Sequence, residues 1–446
     1  MKNKNLILLI ILSISMILLG GCSNVLGGNT LLKPPRATGD KAEIQNVISK
    51  QVNGKYTFKY PQNGEYRSAI TMKSERAVNE FALALYSSDN DNTKINVCII
   101  AFIEDEWQCI GNFPNNGSGV DRVMFSDLNN DGTDEIVIGW TGYSNSQKTL
   151  SAYYVSDTAY EIAIEDTYDE MVIGDITDDN VDDIILMSLA TQKNPATFKV
   201  LQYSEKEKKP IARYSLETDP EVISFVNVTV GNIAQDQTGV IIDGAKNGNI
   251  LTSQIIYFDG ENLNNPLVTE DNGVYSNPTA RKDTIYSRDS DNDGIIEVPV
   301  VTPLPASANS VNVCSMTAWK QYSVYNKALG TKMNTVINYN DRYYVTMPNK
   351  WINNTVTAVS DPDTRKMTFY IWNSKTSSFG DKILEIYRYT AEEYSDIDKN
   401  GIIVLNIDDT RANAVFCAEI FHTDADDELN ITADEVINSF NAFWKN

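Results

Sequence analysis

Histidine is all but absent from this chain: His422 is the only one in 446 residues. That removes most Ser-His and Cys-His mechanisms, and His422 itself is expected at a strand end. Cysteine is scarce, with Cys22, Cys98, Cys109, Cys314 and Cys417 showing no CxxC and no paired Cys/His spacing, so zinc is not expected. Cys98 and Cys109 flank a hairpin turn expected at Glu104–Glu106, where a cross-strand disulfide and two small buried thiols are both open. Helical periodicity is missing from about residue 55 to 300. Basic residues are in deficit, 37 against 60 acidic, for a net charge of −23. Such a surface repels nucleic acid and anionic lipid, so no nucleic-acid partner is expected, and it suits a protein that recruits cations.

Long hydrophobic runs are also few, and the one present is at the start. Lys2 and Lys4 precede a nearly unbroken apolar stretch, Leu6 to Leu19, followed by Gly20, Gly21 and Cys22. The stretch has the length of a secretory h-region and is short for a spanning helix. The order Leu-Gly-Gly-Cys resembles the bacterial lipobox. That resemblance implies a signal peptide over 1–21, a diacylglyceryl group on Cys22 and a lipid-anchored position on the outer face of the cell membrane. Two acyl chains hold a protein on a bilayer where one is marginal. Removing Lys2 and Lys4 from the 37 basic residues leaves 35 against 60 acidic, a net charge of −25. Residues 22–40, with Lys33-Pro34-Pro35-Arg36, read as a tether; as a coil of roughly 19 residues it reaches about 24 Å r.m.s..

From about 55 to 300 short strand patterns and turns dominate. Val97–Phe102, Trp107–Phe113, Ser151–Val155, Lys199–Tyr203 and Gln254–Phe258 are rich in β-branched and aromatic residues, and Asp259-Gly260 marks a hairpin. Beyond Pro303-Leu304-Pro305 further strands are expected at Tyr343–Met347, Thr355–Val359, Met367–Trp372, Ile383–Tyr389, Ile402–Ile407 and Ala414–Ile420. Ala391–Asp398 reads as a short helix, and Thr432–Glu435 is a capping box leading a helical stripe through Val436, Ile437, Phe440, Phe443 and Trp444. The expected fold class is mainly β: a β-propeller-like array over 41–305, then a small α+β domain over 306–446.

The acids are clustered. Asp127-Leu-Asn129-Asn-Asp131-Gly132-Thr133-Asp-Glu135 leads into Ile136-Val137-Ile138. Asp175-Ile-Thr177-Asp-Asp179-Asn180-Val181-Asp-Asp183 leads into Ile184-Ile185-Leu186, and Asp289-Ser-Asp291-Asn-Asp293-Gly294-Ile295-Ile-Glu297 into Val298. Each carries oxygen side chains at positions 1, 3, 5 and 9 and Gly or Asn at 6. A hard cation such as calcium takes several oxygens at about 2.3–2.6 Å. Alternate residues of a curled loop point inward, position 6 turns through φ > 0, and position 7 offers its carbonyl. The closing acid of an EF-hand is at position 12 between helices; here a strand follows at once. Asn232–Val240 and Ser74–Glu80 are degenerate copies. The last loop residues, 80, 135, 183, 240 and 297, recur at intervals of 55, 48, 57 and 57, as in stacked four-stranded units.

The three intact loops resemble the calcium-binding segments of FG-GAP/VCBS repeats, known from the integrin α-chain β-propeller. The resemblance covers roughly 55–300 and implies calcium at three sites. Asp127, Asn129, Asp131, Thr133 and Glu135 form the first. Asp175, Thr177, Asp179, Val181 and Asp183 form the second, expected to be weaker because Thr177 and Asn180 depart from the pattern. Asp289, Asp291, Asp293, Ile295 and Glu297 form the third. Tyr66-Arg67-Ser68-Ala69, Gly117-Ser118-Gly119-Val120 and Met347-Pro348-Asn349-Lys350-Trp351 add a resemblance to lipoproteins of Gram-positive, often clostridial, bacteria, which brings no activity with it.

Asp396–Gly401 imitates the loop but has Val404 at position 9, and helix termination at Asn400-Gly401 explains it better. Asp424, Asp426 and Glu428 read as a solvated loop, and Trp140 and Tyr143 as blade packing before ligand platform. No residue is assigned a catalytic role. The function expected first is a non-enzymatic binding or scaffold module with a surface protein or glycan as ligand. The alternatives are a carbohydrate-active enzyme, lyase or glycosidase, and an envelope-assembly partner.

Overall fold

The computed structural model describes residues 39–442 apart from 53, 76–78, 144–146, 157, 353–354, 409–412 and 422–427. Cys22 and its apolar stretch, His422, Asp424, Asp426, Phe443 and Trp444 lie outside the described residues. The chain divides into two compact units, one of Met1–Lys59 and Ser68–Asn116, the other of Tyr60–Arg67 and Gly117–Asn446.

The first unit lays a helix, Asp40–Gln51, on an antiparallel five-stranded sheet. Ile44, Val47 and Ile48 recur at helical spacing, and with Val52 they cover Ala82, Ala84, Tyr86, Cys98, Ile100 and Trp107. The segment 41–60, expected within the propeller-like array, therefore opens with a helix. Asp91–Ile103 and Glu106–Asn115 form the expected hairpin, turning at Glu104 and Asp105, both at positive φ. Cys98 and Cys109 are free thiols whose sulfurs lie 3.6 Å apart.

The second unit is a propeller-like array of antiparallel sheets. Blade I comprises Gly119–Ser126, Glu135–Thr141, Lys148–Val155 and Ala159–Tyr168. Blade II comprises Glu170–Gly174, Asp183–Ser188, Thr197–Ser204 and Lys209–Glu217. Blade III comprises Val222–Ala234, Gln237–Lys246, Ile250–Phe258 and Leu263–Asn264. Each is a meander in chain order. Blade IV runs Val298–Pro303, Ser315–Ser323, Ala328–Asn338 and Tyr343–Thr346, with Phe440–Ala442 added at the edge. Its first two strands pair across residue 305. Sheet V orders Val356–Asp361, Lys366–Asn373, Ser378–Thr390, Ala414–Ile420 and Ile403–Asp408.

The strands at the middle of each blade are continuous apolar runs because both faces are buried. In Asp183–Ser188, Ile184 and Leu186 pack with Val137, Leu150 and Tyr154 of blade I, while Ile185 and Met187 pack with Val240, Ile242 and Ile256 of blade III. Ile233, Ile241 and Ile255 then meet Val298 and Tyr322 of blade IV. A last cluster joins Val336 and Val345 to Phe369, Leu384 and Ile386 of sheet V.

Three local expectations are corrected. The helix opened by the Thr432 capping box ends at Ser439, because Phe440 leaves it to pair with Val345. The helix over 391 ends at Asp396, short of Asn400-Gly401, which form a separate turn with Gly401 at φ 76. Asn232–Val240 is no loop: its strands pair up to Ala234 and Gln237, leaving a tight hairpin with Asp236 at φ 57. Trp140 is buried blade packing, its indole N–H donating to Ser151 Oγ at 3.3 Å. Among the described residues no helix is long and apolar enough to cross a membrane.

Candidate metal-binding loops

The first two acidic nonapeptides leave the end of one strand and return at the start of the next, and the third runs between the two residues of an isolated bridge just before Val298–Pro303. Ser126 pairs with Glu135, Gly174 with Asp183 and Arg288 with Glu297, so the residue before position 1 is always bonded across to position 9. Positive φ occurs at position 6, as expected, in Gly132, Asn180 and Gly294, and also at position 4 in Asn130, Asp178 and Asn292. Two left-handed residues curl the backbone tightly enough to aim alternate side chains inward. Gly and Asn reach that region at least cost.

The same hydrogen bonds hold each loop. One oxygen of Asp127 accepts from Asp131 N at 3.1 Å and the other from Gly132 N at 2.8 Å. Asp175 does the same for Asp179 N and Asn180 N, and Asp289 for Asp293 N and Gly294 N. Asp131, Asp179 and Asp293 each accept from the amide two residues on, at 2.9 Å. The closing acids Glu135, Asp183 and Glu297 accept from the amides of Leu128, Ile176 and Ser290. Sequence spacing therefore places all the expected side chains of each site in one loop.

The closing acids are the most perturbed carboxylates of the sites. Glu135, Asp183 and Glu297 are 1%, 1% and 0% exposed. Burial, with the neighbouring carboxylates adding to it, pushes Glu135 up to about 8 and Asp183 to about 6, and raises Glu297. The ligand oxygens of Asp289, Asp291 and Glu297 lie within 4.8 Å of one another. Glu297 Oε2 accepts from Ser290 N and Oγ, while its Oε1 is buried with no hydrogen-bond partner. A buried carboxylate oxygen without a donor is costly, and a divalent cation held by these oxygens would relieve both that and the mutual repulsion.

Several residues of the sites carry no local sequence signal. Gln202 Nε2 donates to Thr177 Oγ1 at 2.8 Å and to Asp179 Oδ2 at 3.1 Å. Lys332 Nζ lies 2.7 Å from Asp293 Oδ2 and 3.6 Å from Asp291 Oδ2. Ser126 Oγ donates to Asp182 at 2.6 Å, tying the first loop to the second. Beside the second loop opens a cleft of about 480 Å³, whose lining includes Asp179, Gln202, Tyr203, Glu205, Arg213 and Tyr214.

A second charged centre, unmarked in the sequence, stands on the first strand of blade I. Asp121 is fully buried and accepts from Asn63 Nδ2 (2.8 Å), Arg122 Nε (2.8 Å) and Tyr168 OH (2.8 Å), with Lys148 Nζ at 2.9 Å. Burial alone would raise its carboxyl; Lys148 and Arg122 instead hold it down at about 2. Arg122 also pairs with Glu170 of blade II.

No family model and no curated protein matches the chain. Among solved structures it is similar to the periplasmic gluconolactonase of Pseudomonas aeruginosa (9% identity, TM-score 0.30, covering 69% of this chain and 81% of that one). An exotype rhamnogalacturonan lyase matches at 9% identity and TM-score 0.27, covering 84% and 92%. The Dos1 propeller matches at 9% and 0.28, covering 71% and 79%. Two of these are named for enzymes, and the expectation of a non-enzymatic binding or scaffold module finds no support among them. At these scores they carry no substrate or residue over to this chain.

Proposed function

We propose that this protein acts on carbohydrate at the outer face of the cell membrane, with calcium in three loops of its propeller-like array. The observation that carries the calcium assignment is the buried, donorless Oε1 of Glu297, whose carboxylate clusters with those of Asp289 and Asp291, in a loop whose wiring recurs twice more. Asp127, Asn129, Asp131, Thr133 and Glu135 would hold the first ion, and Asp175, Thr177, Asp179, Val181 and Asp183 the second. Asp289, Asp291, Asp293, Ile295 and Glu297 would hold the third. Bound calcium supplies fixed positive charge; the chain's own residues supply the rigid loops and their bonds to the strands.

The carbohydrate reading is supported by the cleft at the second loop. Tyr203, Tyr214, Gln202, Glu205 and Arg213 line it, residue types that pack on sugar C–H groups and exchange hydrogen bonds with hydroxyl and carboxylate groups. Its lining includes Asp179 and Asp183, so filling the second loop would set the charge and rigidity of the cleft. The anchor would be a diacylglyceryl group on Cys22, following the lipobox order in the sequence.

The test is turnover of neutral and uronate-containing envelope glycans by the purified protein, in calcium and in chelator, for wild type and Arg213→Ala. Product release that needs calcium and falls at least tenfold in Arg213→Ala is expected. No release from any glycan in calcium would contradict the enzymatic reading.

A further inference from the structure

The three loops differ in what the rest of the chain aims at them. At the first, among the described residues, no side chain from outside the loop donates to Asp127, Asn129 or Asp131. At the second, the neutral amide of Gln202 spans the oxygens of positions 3 and 5. At the third, an ammonium does so: Lys332 lies 2.7 Å from Asp293 Oδ2 and 3.6 Å from Asp291 Oδ2. Lys332 stands on Ala328–Asn338, a strand of blade IV separate from the loop itself.

We propose that Lys332 is a tethered competitor of calcium at the third loop, so that this site fills only at higher calcium than the charge of its own acids would set. The inference rests on the reading that the loops bind calcium. An ammonium is a compact point charge with rotatable donors on a flexible stem, so it can satisfy two carboxylates and still swing away. Its side chain is 34% exposed, which leaves a solvated path outward. Lys332 draws the Asp293 carboxyl below its usual range, while the buried Oε1 of Glu297 lies beyond its contacts and keeps its demand for a cation. Calcium entering must therefore displace the ammonium from positions 3 and 5. A pair this exposed opposes it only modestly, so the competition shifts affinity without abolishing it.

At low calcium the third loop would then be held by Lys332, and at high calcium by the ion. The first strand of blade III is bonded directly to this loop, Ile296 N donating to Asn232 O at 2.8 Å, so the exchange occurs at a junction between blades.

Calcium titration of the full chain by calorimetry, with Glu297→Gln to identify the third site, tests this. Lys332→Met is expected to tighten that site about five- to tenfold and leave the other two unchanged, and Lys332→Arg, which keeps the charge, to stay near wild type. Three sites with the third unaltered in Lys332→Met would overturn the competitor role and leave the calcium reading standing. Absence of binding at every loop of the wild type would overturn both. Far-UV circular dichroism of Lys332→Met monitors the fold; if the variant is unfolded, Lys332→Gln replaces it, with the same outcomes expected.

Discussion

Glu135→Gln should change the sign of its effect with calcium. Glu135 is 1% exposed, and its carboxyl is raised from an ordinary 4.5 to about 8, first by burial and then by Asp131, Asp127 and Asp134. A folded-state pKa above the unfolded one means that the Glu135 contribution to the stability of the metal-free protein is fully present below about pH 4.5. That contribution is lost as pH rises to about 8. At ~1.4 kcal/mol per decade of proton affinity, holding the anion at pH 8.5 costs about 4.5 kcal/mol. Glutamine carries no charge and still accepts from Leu128 N, but it sets an amide against Asn129 Nδ2, now 3.2 Å from Glu135 Oε1. That lost bond returns about 1 kcal/mol. In chelator at pH 8.5 the variant should therefore be about 3.5 kcal/mol more stable than wild type, and near parity at pH 5. Calcium at about 1,000 times Kd adds ~4 kcal/mol to wild type through this loop and little through it to the variant, while the other two loops stabilise both alike, so the order reverses. Urea unfolding at both pH values, with and without calcium, measures this. A variant destabilised equally in calcium and in chelator would refute the reasoning.

Asp121→Ala leaves Arg122 and Lys148 without their buried counter-ion and should cost about 3–5 kcal/mol in urea unfolding. Because the Asp121 carboxyl is held below its unfolded value, its contribution is present above about pH 4 and lost toward pH 2, so wild type and Asp121→Ala should converge on acidification. Thr177→Asp supplies the missing anionic ligand at position 3 of the second loop and should tighten calcium there several-fold in a calorimetric titration. Cys109, half-buried and drawn down to about 7 chiefly by its hydrogen bond with Cys98, should alkylate first; fully buried Cys98 should react only on unfolding, as read by peptide mass spectrometry.

Much of this structure is legible in local pattern. The three loops could be read because each site is built from nine consecutive residues, and the blade strands because β-branched runs between turns have few other uses. What escaped involves distant partners. Phe440 continues the helical stripe of Val436, yet its pairing with Val345 overrides that period. Asn232–Val240 keeps the spacing of a loop, but without acids at positions 3 and 9 nothing opposes its hairpin. The helix at Asp40–Gln51 is the exception: its signal is local, but three buried apolar positions, Ile44, Val47 and Ile48, are a weak period. Gln202 and Lys332 reach the loops across strands, and no periodicity marks a residue for that.

The central claim, cation binding at three repeated loops, is tested most directly by anomalous diffraction from crystals grown in terbium as a calcium substitute. Peaks are expected within the loops 127–135, 175–183 and 289–297, the third accompanied by withdrawal of Lys332 from Asp293. A map without a peak at any of the three would contradict it.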